Sequence, residues 1–301
     1  MSRQRVACVN GQIVPESEAT VSINDLGFIY GDAVFDTTRT FGHRIFKLQE
    51  HLDRLYDSLK YMRIDPGLDK QAMADLTMQV LDRNIPLLGP NDDDWVTQRV
   101  TRGVRGAELC VPTLIIECWP LPFKERARYY RDGLEVATPS VRRTGLASVS
   151  PRAKLHHYVN MIQAEMEVKG QNPNAWAIML DVNGNLCEGN GSNIFIVKNG
   201  RALTPRSQHV LAGISRQTIF ELGVAVDIPV KEADIDLFDA YTADEVFVTS
   251  TSFCICPVKT INGSVIADGQ VPGPVTDRLQ KAYSELVGID IVAQYLDRLP
   301  E

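Results

Sequence analysis

The sequence has no long apolar run and no excess of positive charge. None of its 301 residues lie in a stretch that approaches the roughly 18 consecutive apolar residues of a membrane-spanning helix. The formal net charge of −7 speaks against nucleic acid as the main partner, because nucleic-acid binding depends on a basic surface. Two arginines near the N-terminus are not followed by an apolar segment, so we expect no secretory signal and a cytoplasmic location.

Disulfide, metal and dinucleotide patterns are also missing. The six cysteines never form a C-x-x-C pair, which in a chain without an export signal indicates buried thiols. Of the five histidines only His156 and His157 are adjacent, and adjacent residues rarely bind one metal ion, so we expect no metal site. The pair Gly189 and Gly191 lacks the third glycine and the following helix of a dinucleotide-binding fingerprint.

What remains is the composition of a folded protein, with 44% apolar and 23% charged residues. Predicted strands and helices are interspersed, and they are joined by hairpin turns such as Asn10-Gly11 and Asn183-Gly184 rather than by regular βαβ spacing. This pattern predicts an α+β fold in two domains. Pro120, Pro122 and the charged run after them indicate a connection. The predicted divisions are a small domain at 1–122, a linker at 123–134 and a large domain at 135–301.

Residue spacing predicts the main helices and strands. Leu48, Leu52, Leu55, Leu59 and Met62 form the apolar stripe of an amphipathic helix, which a Pro-Gly pair ends. We expect further helices at about 70–83, 157–169, 214–223 and 275–287, with Gly223 and Gly288 ending the last two. Strands are expected at 6–9, 96–101, 113–118, 135–138, 175–181, 193–198 and 245–250.

Two segments could bind an anion. Residues 211–216 place a glycine and a hydroxyl at the start of a predicted helix, where free N–H groups and the helix dipole favour negative charge. Ser215 could equally serve as a simple helix cap. Residues 249–252 are four hydroxyl side chains at the end of a strand, which could bind phosphate or merely begin a turn.

Three charged residues are candidates for chemistry. Lys154 follows Arg152 closely, and nearby cations lower the pKa of a lysine in the way that Schiff-base chemistry requires. Glu188 lies between a hairpin and a glycine-rich turn, where it could face a cofactor or be a solvated loop acid. Arg54 lies beside the apolar stripe, as either a surface residue or an inward anion ligand.

A dense basic stretch covers 99–106. Two-residue alternation along a strand places Arg99 and Arg105 on one side and Arg102 on the other. Such a cluster suits carboxylate recognition, and a solvated strand edge is equally compatible with it.

Together these segments resemble the class IV, or fold-type IV, pyridoxal-phosphate (PLP) aminotransferases. That family includes branched-chain aminotransferases, D-amino-acid aminotransferases, (R)-selective amine transaminases and aminodeoxychorismate lyase. The resemblance covers nearly the whole chain, from 9–11 to 273–276, and its motifs occur in the family's order. They are 30–36, 51–55, Lys154, 188–193, 211–216, 244–247 and Thr251.

The resemblance implies a small N-terminal α/β domain and a larger β-rich PLP-binding domain. Lys154 would bind PLP and move the proton between the substrate Cα and cofactor C4′. Glu188 would pair with the pyridine nitrogen. Tyr158 would hydrogen-bond the 3′ oxygen, although branched-chain enzymes have their tyrosine five rather than four residues after the lysine. The remaining implied cofactor ligands are Arg54, Leu211, Gly213, Ile214, Ser215, Ser250 and Thr251. Family members are typically homodimers with the active site between the two domains.

The implied substrate pocket is mixed. Tyr30, Phe35 and Arg39 match pocket residues of branched-chain aminotransferases, but Thr37 stands where those enzymes have a glycine. Thr97 stands where they have the arginine that binds the acidic co-substrate. Residues 100–103 instead resemble D-amino-acid and (R)-amine transaminases, and in the D-amino-acid enzymes an arginine at the place of Arg102 binds the carboxylate. The implied substrate-binding residues are Tyr30, Phe35, Thr37, Arg39, Arg102 and Ser252.

We therefore expect a PLP-dependent transaminase that transfers an amino group between an amino acid or primary amine and a 2-oxo acid. The pocket favours D-amino acids or (R)-amines over a plain branched-chain specificity. The first alternative is a PLP lyase of the aminodeoxychorismate type, because residues 31–32 and 37–39 resemble a motif of aminodeoxychorismate lyase. A non-enzymatic protein that has kept the fold would be expected to lack the lysine or the glutamate, and both are present.

Overall fold

The structure is a computed structural model that describes residues 4–106 and 111–299. It divides into two compact units. The described part of unit 1 falls within Met1–Leu121 and Ala153–His157, and that of unit 2 within Pro122–Arg152 and Tyr158–Glu301. The predicted domains are two continuous stretches, and the short segment 153–157 departs from that arrangement because its contacts are made with unit 1.

Unit 1 is an antiparallel sheet covered by helices. Its elements are β1 (Val6–Val9), β2 (Gln12–Pro15), α1 (Leu26–Tyr30), β3 (Ala33–Phe41), β4 (Arg44–Ile45), α2 (Leu48–Met62), α3 (Lys70–Asn84), β5 (Asp94–Thr101) and β6 (Leu114–Pro120). The strands are ordered β2-β1-β6-β5-β3-β4 and every pair is antiparallel. The predicted strand at 6–9 and the predicted helix on the leucine stripe are confirmed, and Leu52, Leu55 and Leu59 are buried.

The two faces of this sheet differ, because successive side chains of a strand point to opposite sides. Even-numbered residues such as Val34, Val96 and Ile116 are fully buried on the side that α2 and α3 cover. Phe35 and Arg99 are direct cross-strand partners on the opposite, odd-numbered face. That face carries Phe35, Thr37 and Arg39, which are three of the six residues that the resemblance assigns to a substrate pocket.

Unit 2 is built on a larger sheet. Its elements are α4 (Phe123–Asp132), β7 (Leu134–Ala137), α5 (Val159–Gln171), β8 (Trp176–Leu180), β9 (Leu186–Gly189), β10 (Ser192–Lys198), β11 (Arg201–Pro205), α6 (Ile214–Ala225), β12 (Val230–Ala233), α7 (Leu237–Tyr241), β13 (Glu245–Ser250), β14 (Cys254–Ile261), β15 (Ser264–Val265), α8 (Pro274–Val287) and α9 (Ala293–Leu296). The order is β12-β11-β10-β13-β14-β7-β8-β9, and β9 also pairs with β10. This additional pairing closes a ring of six strands.

Buried aromatic side chains join two strands of this ring. Phe195 of β10 and Phe247 of β13 are direct cross-strand partners, and their rings stack with centroids 4.8 Å apart. The predicted strand at 245–250 is confirmed at both ends. Gly288, in the left-handed region at φ 71°, ends α8 as a C-terminal glycine.

Three local predictions were wrong. Helix α4 occupies most of the segment predicted as a linker, because Phe123, Ala127 and Tyr130 form a buried stripe at helical spacing. Helix α6 continues to Ala225, so Gly223 does not end it; a Cβ at Gly223 would lie 2.4 Å from Val230 Cγ2, and the glycine permits close packing of β12. Strand β5 ends at Thr101, so Arg102 and Arg105 lie beyond it and the predicted alternation of side chains does not extend to them.

The cysteines are buried, as predicted, at the five positions within the described residues. Cys110 lies outside those residues. Burial raises the pKa of Cys118 and of Cys187 to about 12. Across 4–106 and 111–299, no helix combines the length and the apolar character needed to traverse a bilayer.

Candidate active site

Lys154 is held by its backbone against β3 and α2 of unit 1. Its carbonyl accepts the N–H of Phe35 at 3.1 Å, and its own N–H donates to Ser58 Oγ at 3.1 Å. One residue further on, Leu155 forms a β-bridge with Val34. The lysine Nζ lies 4.5 Å from the centroid of the Phe35 ring. The backbone of this amine is therefore fixed, and its side chain lies over the odd-numbered face of the sheet.

Arg54 is anchored by a buried carboxylate. Its Nε donates to Asp36 Oδ2 at 2.8 Å and its Nη2 to Asp36 Oδ1 at 2.7 Å, which is a bidentate pair. His51 Nδ1 lies 2.7 Å from Asp36 Oδ1, and the N–H of Thr37 donates to the same oxygen. The adjacent Arg54 and His51 hold the pKa of Asp36 far below its usual value, although burial acts against this. Burial lowers the pKa of His51.

The Asp36–Arg54 pair fixes the guanidinium plane in a largely buried position. The side chain of Arg54 is only 10% exposed. This agrees with an inward anion ligand, one of the two roles that the sequence left open for Arg54.

The odd-numbered face of the unit 1 sheet has two neighbouring threonines. Thr37 and Thr97 are direct cross-strand partners, and their hydroxyl oxygens are 3.0 Å apart. These are the positions at which the resemblance expects the glycine and the arginine of branched-chain enzymes. The two residues that differ from the branched-chain pattern, Thr37 and Thr97, are therefore hydrogen-bonded to each other.

The arginines differ in their availability for a substrate carboxylate. Arg39 is 1% exposed, pairs with Asp93 at 3.5 Å and packs over Phe41, so its placement in the core differs from the expected role in substrate binding. Arg102 is one-third exposed and is held by Asp32 and by the carbonyl of Met62 at the end of α2.

Arg99 and Arg105 were the remaining candidates. Arg99 is also one-third exposed and pairs with Glu117 at 2.7 Å. Its charge and burial lower the pKa of the neighbouring His156 to about 4, with burial the larger cause. Arg105 is exposed and lies after the end of β5. Which arginine binds a carboxylate stays a prediction.

Glu188 is buried on β9 of unit 2, and each of its oxygens has a donor. Arg143 Nε donates to Oε1 at 2.8 Å, and the N–H of Leu211 donates to Oε2 at 2.8 Å. The residue is 2% exposed, so it is not a solvated loop acid. The two hydrogen bonds fix the position of the carboxylate, which could face a ring nitrogen. Nothing in the sequence indicated the contact between Arg143 and Glu188.

The turn before α6 is shaped by a close approach. A Cβ at Gly213 would lie 2.1 Å from Asn193 Oδ1, and Asn193 Nδ2 donates to the carbonyl of Leu211 at 3.1 Å. Gly213 is the N-terminal cap residue of α6, and no described side chain caps this end. Ser215 is the second residue of the helix, so it is not the cap that the sequence offered as the simpler interpretation. The N–H groups of Ile214 and Ser215 begin a 12-residue helix and can serve an anion.

The hydroxyl run at 249–252 begins in the last two residues of β13 and continues into a turn that contacts Arg126. Ser250 Oγ accepts the N–H of Phe253 at 3.0 Å and lies 3.3 Å from Ser252 Oγ. Arg126 of α4 donates to Ser252 Oγ and lies 4.6 Å from the centroid of the Phe253 ring. Burial lowers the pKa of Arg126. The sequence did not single out this arginine, which supports the turn that carries Ser252.

The two tyrosines of the predicted site lie at helix ends. Tyr158 precedes α5 and packs against the buried cluster that includes Met161 and Ala164 of unit 2. Tyr30 is the last residue of α1 in unit 1, is 63% exposed, and its carbonyl accepts from His157 Nε2 at 3.0 Å.

These donors fit PLP by their chemistry. The cofactor needs an amine for its aldehyde carbon, anionic charge for its ring nitrogen, and cationic or N–H donors for its phosphate. Unit 1 offers the amine of Lys154 and the guanidinium of Arg54, and unit 2 offers the carboxylate of Glu188 and the N–H groups at the start of α6. The fit rests on the fixed lysine backbone and on the doubly hydrogen-bonded carboxylate.

A comparison with known protein families decides the classification. The family described as amino-transferase class IV matches residues 33–261, which is most of the chain. The chain belongs to this family. A putative branched-chain-amino-acid aminotransferase of Methanocaldococcus jannaschii is 37% identical over 284 residues, covering 92% of this chain and 95% of that protein. A D-alanine aminotransferase of Listeria monocytogenes is 31% identical over 288 residues, covering 92% and 94%.

Solved structures agree with this aminotransferase fold. The T.th. branched-chain amino acid aminotransferase, complexed with N-(5'-phosphopyridoxyl)-L-glutamate, superposes with a TM-score of 0.85 at 26% identity. The match covers 95% of both chains. The predicted fold-type IV architecture is confirmed, and the aminotransferase is a PLP-dependent transaminase. The names of its relatives support transamination over the lyase alternative.

Proposed function

We propose that this aminotransferase binds PLP through the residues described above and transfers an amino group from an amino acid or amine to a 2-oxo acid. The proposal depends most on Lys154, whose backbone is held on both sides. When bound, PLP supplies a ring that stabilises negative charge at the substrate Cα. Lys154 would hold the cofactor and would carry the proton between Cα and C4′. Glu188 holds the proton on the ring nitrogen, and Arg143 supports its charge.

The phosphate is assigned to Arg54, to the N–H groups of Ile214 and Ser215, and to Thr251. The bidentate contact with Asp36 orients the arginine before the cofactor arrives. Leu211 is assigned to pack on the ring and Tyr158 to bind its 3′ oxygen. Gly213 and Ser250 are assigned to the shape of the turns that carry these groups.

For the amino donor, we propose as the first candidate an L-amino acid with an apolar side chain, of which L-leucine is the example tested below. The supporting observations are the branched-chain relatives and the aromatic ring of Phe35 on the odd-numbered face of the unit 1 sheet. The second candidate is a D-amino acid or an (R)-amine. It is favoured by the Thr37–Thr97 contact, because branched-chain enzymes have a glycine and an arginine at these two positions. The D-alanine aminotransferase among the relatives also favours it. Tyr30 and Ser252 complete the proposed substrate-binding set.

We also propose a homodimer. Unit 1 exposes large apolar side chains on its 21–30 segment, with Ile23 76% and Phe28 73% exposed. Exposed apolar residues in this concentration are typical of a surface that another chain covers. The oligomeric state is checked by light scattering.

The cofactor assignment is tested by replacing Lys154. The Lys154→Ala variant should lose turnover and the yellow colour of the lysine-bound cofactor. The matched control is Lys124→Ala, which removes an exposed lysine of α4. Full turnover by Lys154→Ala, or a wild-type protein that neither binds nor needs PLP, would refute the proposal.

The donor assignment is tested by recording absorbance spectra while L-leucine, D-alanine and (R)-1-phenylethylamine are added separately. Conversion of the bound cofactor to its amine form by L-leucine alone supports the first candidate. Conversion by D-alanine or by the (R)-amine, with no response to L-leucine, supports the second.

A further inference from the structure

Ser58 connects the two parts of unit 1 that are assigned to the cofactor. Its hydroxyl, 2% exposed on α2, donates to the carbonyl of Arg54 at 2.9 Å. The same oxygen accepts the backbone N–H of Lys154 at 3.1 Å. One hydroxyl therefore bonds the helical turn of the proposed phosphate ligand to the residue that carries the proposed nucleophile.

This hydrogen bond completes the anchoring of the Lys154 backbone. The carbonyl of Lys154 is already bound by Phe35 N–H, and His156 N–H donates to the carbonyl of Ala33. These bonds hold the segment along β3 only. Ser58 holds it from the other side, through the N–H that β3 does not reach. Without the hydroxyl, the segment would lose this hydrogen bond to α2.

The separation between Arg54 and Lys154 matters because PLP is rigid. Its phosphate and its C4′ carbon are attached to one aromatic ring, so their distance varies little. A protein that binds both ends must hold the two ligands at one separation, and a small misplacement of a reacting group can lower a rate by about 100-fold. A short, buried link between the two ligands meets this requirement.

We propose that Ser58 is a positioning residue that fixes Lys154 relative to Arg54 for reaction with PLP. The inference rests on the proposed function, since it takes Lys154 and Arg54 as cofactor ligands. Ser58 itself acts through the backbone of Lys154.

The chain contains a matched control for this arrangement. Ser284 of α8 donates to the carbonyl of Gln280 at 2.9 Å and accepts the N–H of Ile291 at 3.1 Å. The geometry repeats that of Ser58, but the contact lies in unit 2 and involves none of the proposed cofactor ligands. Ser58→Ala and Ser284→Ala should each leave one backbone N–H without its partner, so both should lower the unfolding free energy.

Three measurements separate positioning from structural support. In Ser58→Ala we expect PLP to dissociate faster, the pH midpoint of the lysine-bound cofactor's absorbance to shift, and kcat to fall by about 10-fold or more with a KM changed much less. Ser284→Ala should leave all three at wild-type values. The inference is overturned if Ser58→Ala changes only the unfolding free energy, as Ser284→Ala does. Failure of the proposed function is distinguished by Lys154→Ala, which would then retain the cofactor colour and turnover.

Discussion

The buried Asp36–Arg54 pair should make a large contribution to the stability of this aminotransferase. Asp36 is fully buried and Arg54 nearly so, and the Asp36→Asn variant keeps the size of the side chain but removes its charge. The guanidinium would then stay buried without a carboxylate. Breaking a buried ion pair in this way costs about 3–5 kcal/mol of unfolding free energy. Because total stabilities are only about 5–15 kcal/mol, the variant should fold with a much reduced margin.

The measurement is urea unfolding followed by far-UV circular dichroism at neutral pH, with Asp53→Asn as the control. Asp53 lies on the same helix as Arg54 and pairs with Lys70 at 2.6 Å, but both side chains are about half exposed. An exposed pair contributes roughly 0–1 kcal/mol, so the control should be close to wild type. Equal destabilisation by the two variants would refute the reasoning that burial makes the Asp36–Arg54 pair strong.

The same pair predicts the sign of a pH effect. The pKa of Asp36 is lowered in the folded protein, so its stabilising contribution is present above the unfolded-state value of about 4. It is lost as the pH falls through the lower folded-state value. The unfolding free energies of wild type and Asp36→Asn should therefore converge in acid. A difference that stayed constant below pH 4 would contradict the charge-based explanation.

Three further predictions follow from the site. Arg143→Met should weaken PLP binding by about 10- to 150-fold, because Glu188 loses a charged hydrogen bond of about 1.5–3 kcal/mol. Absorbance titration measures the PLP dissociation constant, and an unchanged constant would be evidence against the role of Arg143. Gly213→Ala should lower the unfolding free energy by about 1–3 kcal/mol, because the added Cβ meets Asn193 Oδ1. Adding Asn193→Ala to this variant should restore most of the loss. If the two substitutions instead lower the unfolding free energy additively in urea, the clash is ruled out. The pKa of His156 is lowered to about 4, so its contribution should make wild-type stability fall as the pH drops from about 6.5 towards 4, by up to about 3 kcal/mol. His156→Gln should reduce the slope and leave the part that comes from His51, whose pKa is also lowered. An unchanged slope would exclude His156 as a source.

Local patterns in the sequence predicted much of the fold. The leucine stripe of α2 and the terminal glycine of α8 depend on residues within a few turns of each other, and both predictions are confirmed. The prolines at 120 and 122 misled the prediction of a linker, because Pro122 in fact precedes the first turn of α4. A proline at a helix start and a proline in a linker have the same local signature.

The candidate site was predictable only where the residues themselves identify the chemistry. Lys154 and Glu188 follow from the family's motifs, whereas Ser58 and Arg143 act through contacts that span 96 and 45 residues of the chain. No periodicity connects such distant positions, so only the folded backbone reveals them. Arg39 shows the reverse case: the motif marked it for substrate, and the fold pairs it with Asp93 inside the core.

The assignment of the segment 153–157 to unit 1 has a consequence for recombining this enzyme with its relatives. A chimera that exchanges only residues up to Leu121 would receive a new β3 and α2, but it would keep the parental lysine segment that must pair with them. The partners of Lys154 at positions 35 and 58 would then come from a different parent. Productive hybrids should therefore inherit residues 153–157 together with the N-terminal block, as a second, five-residue graft.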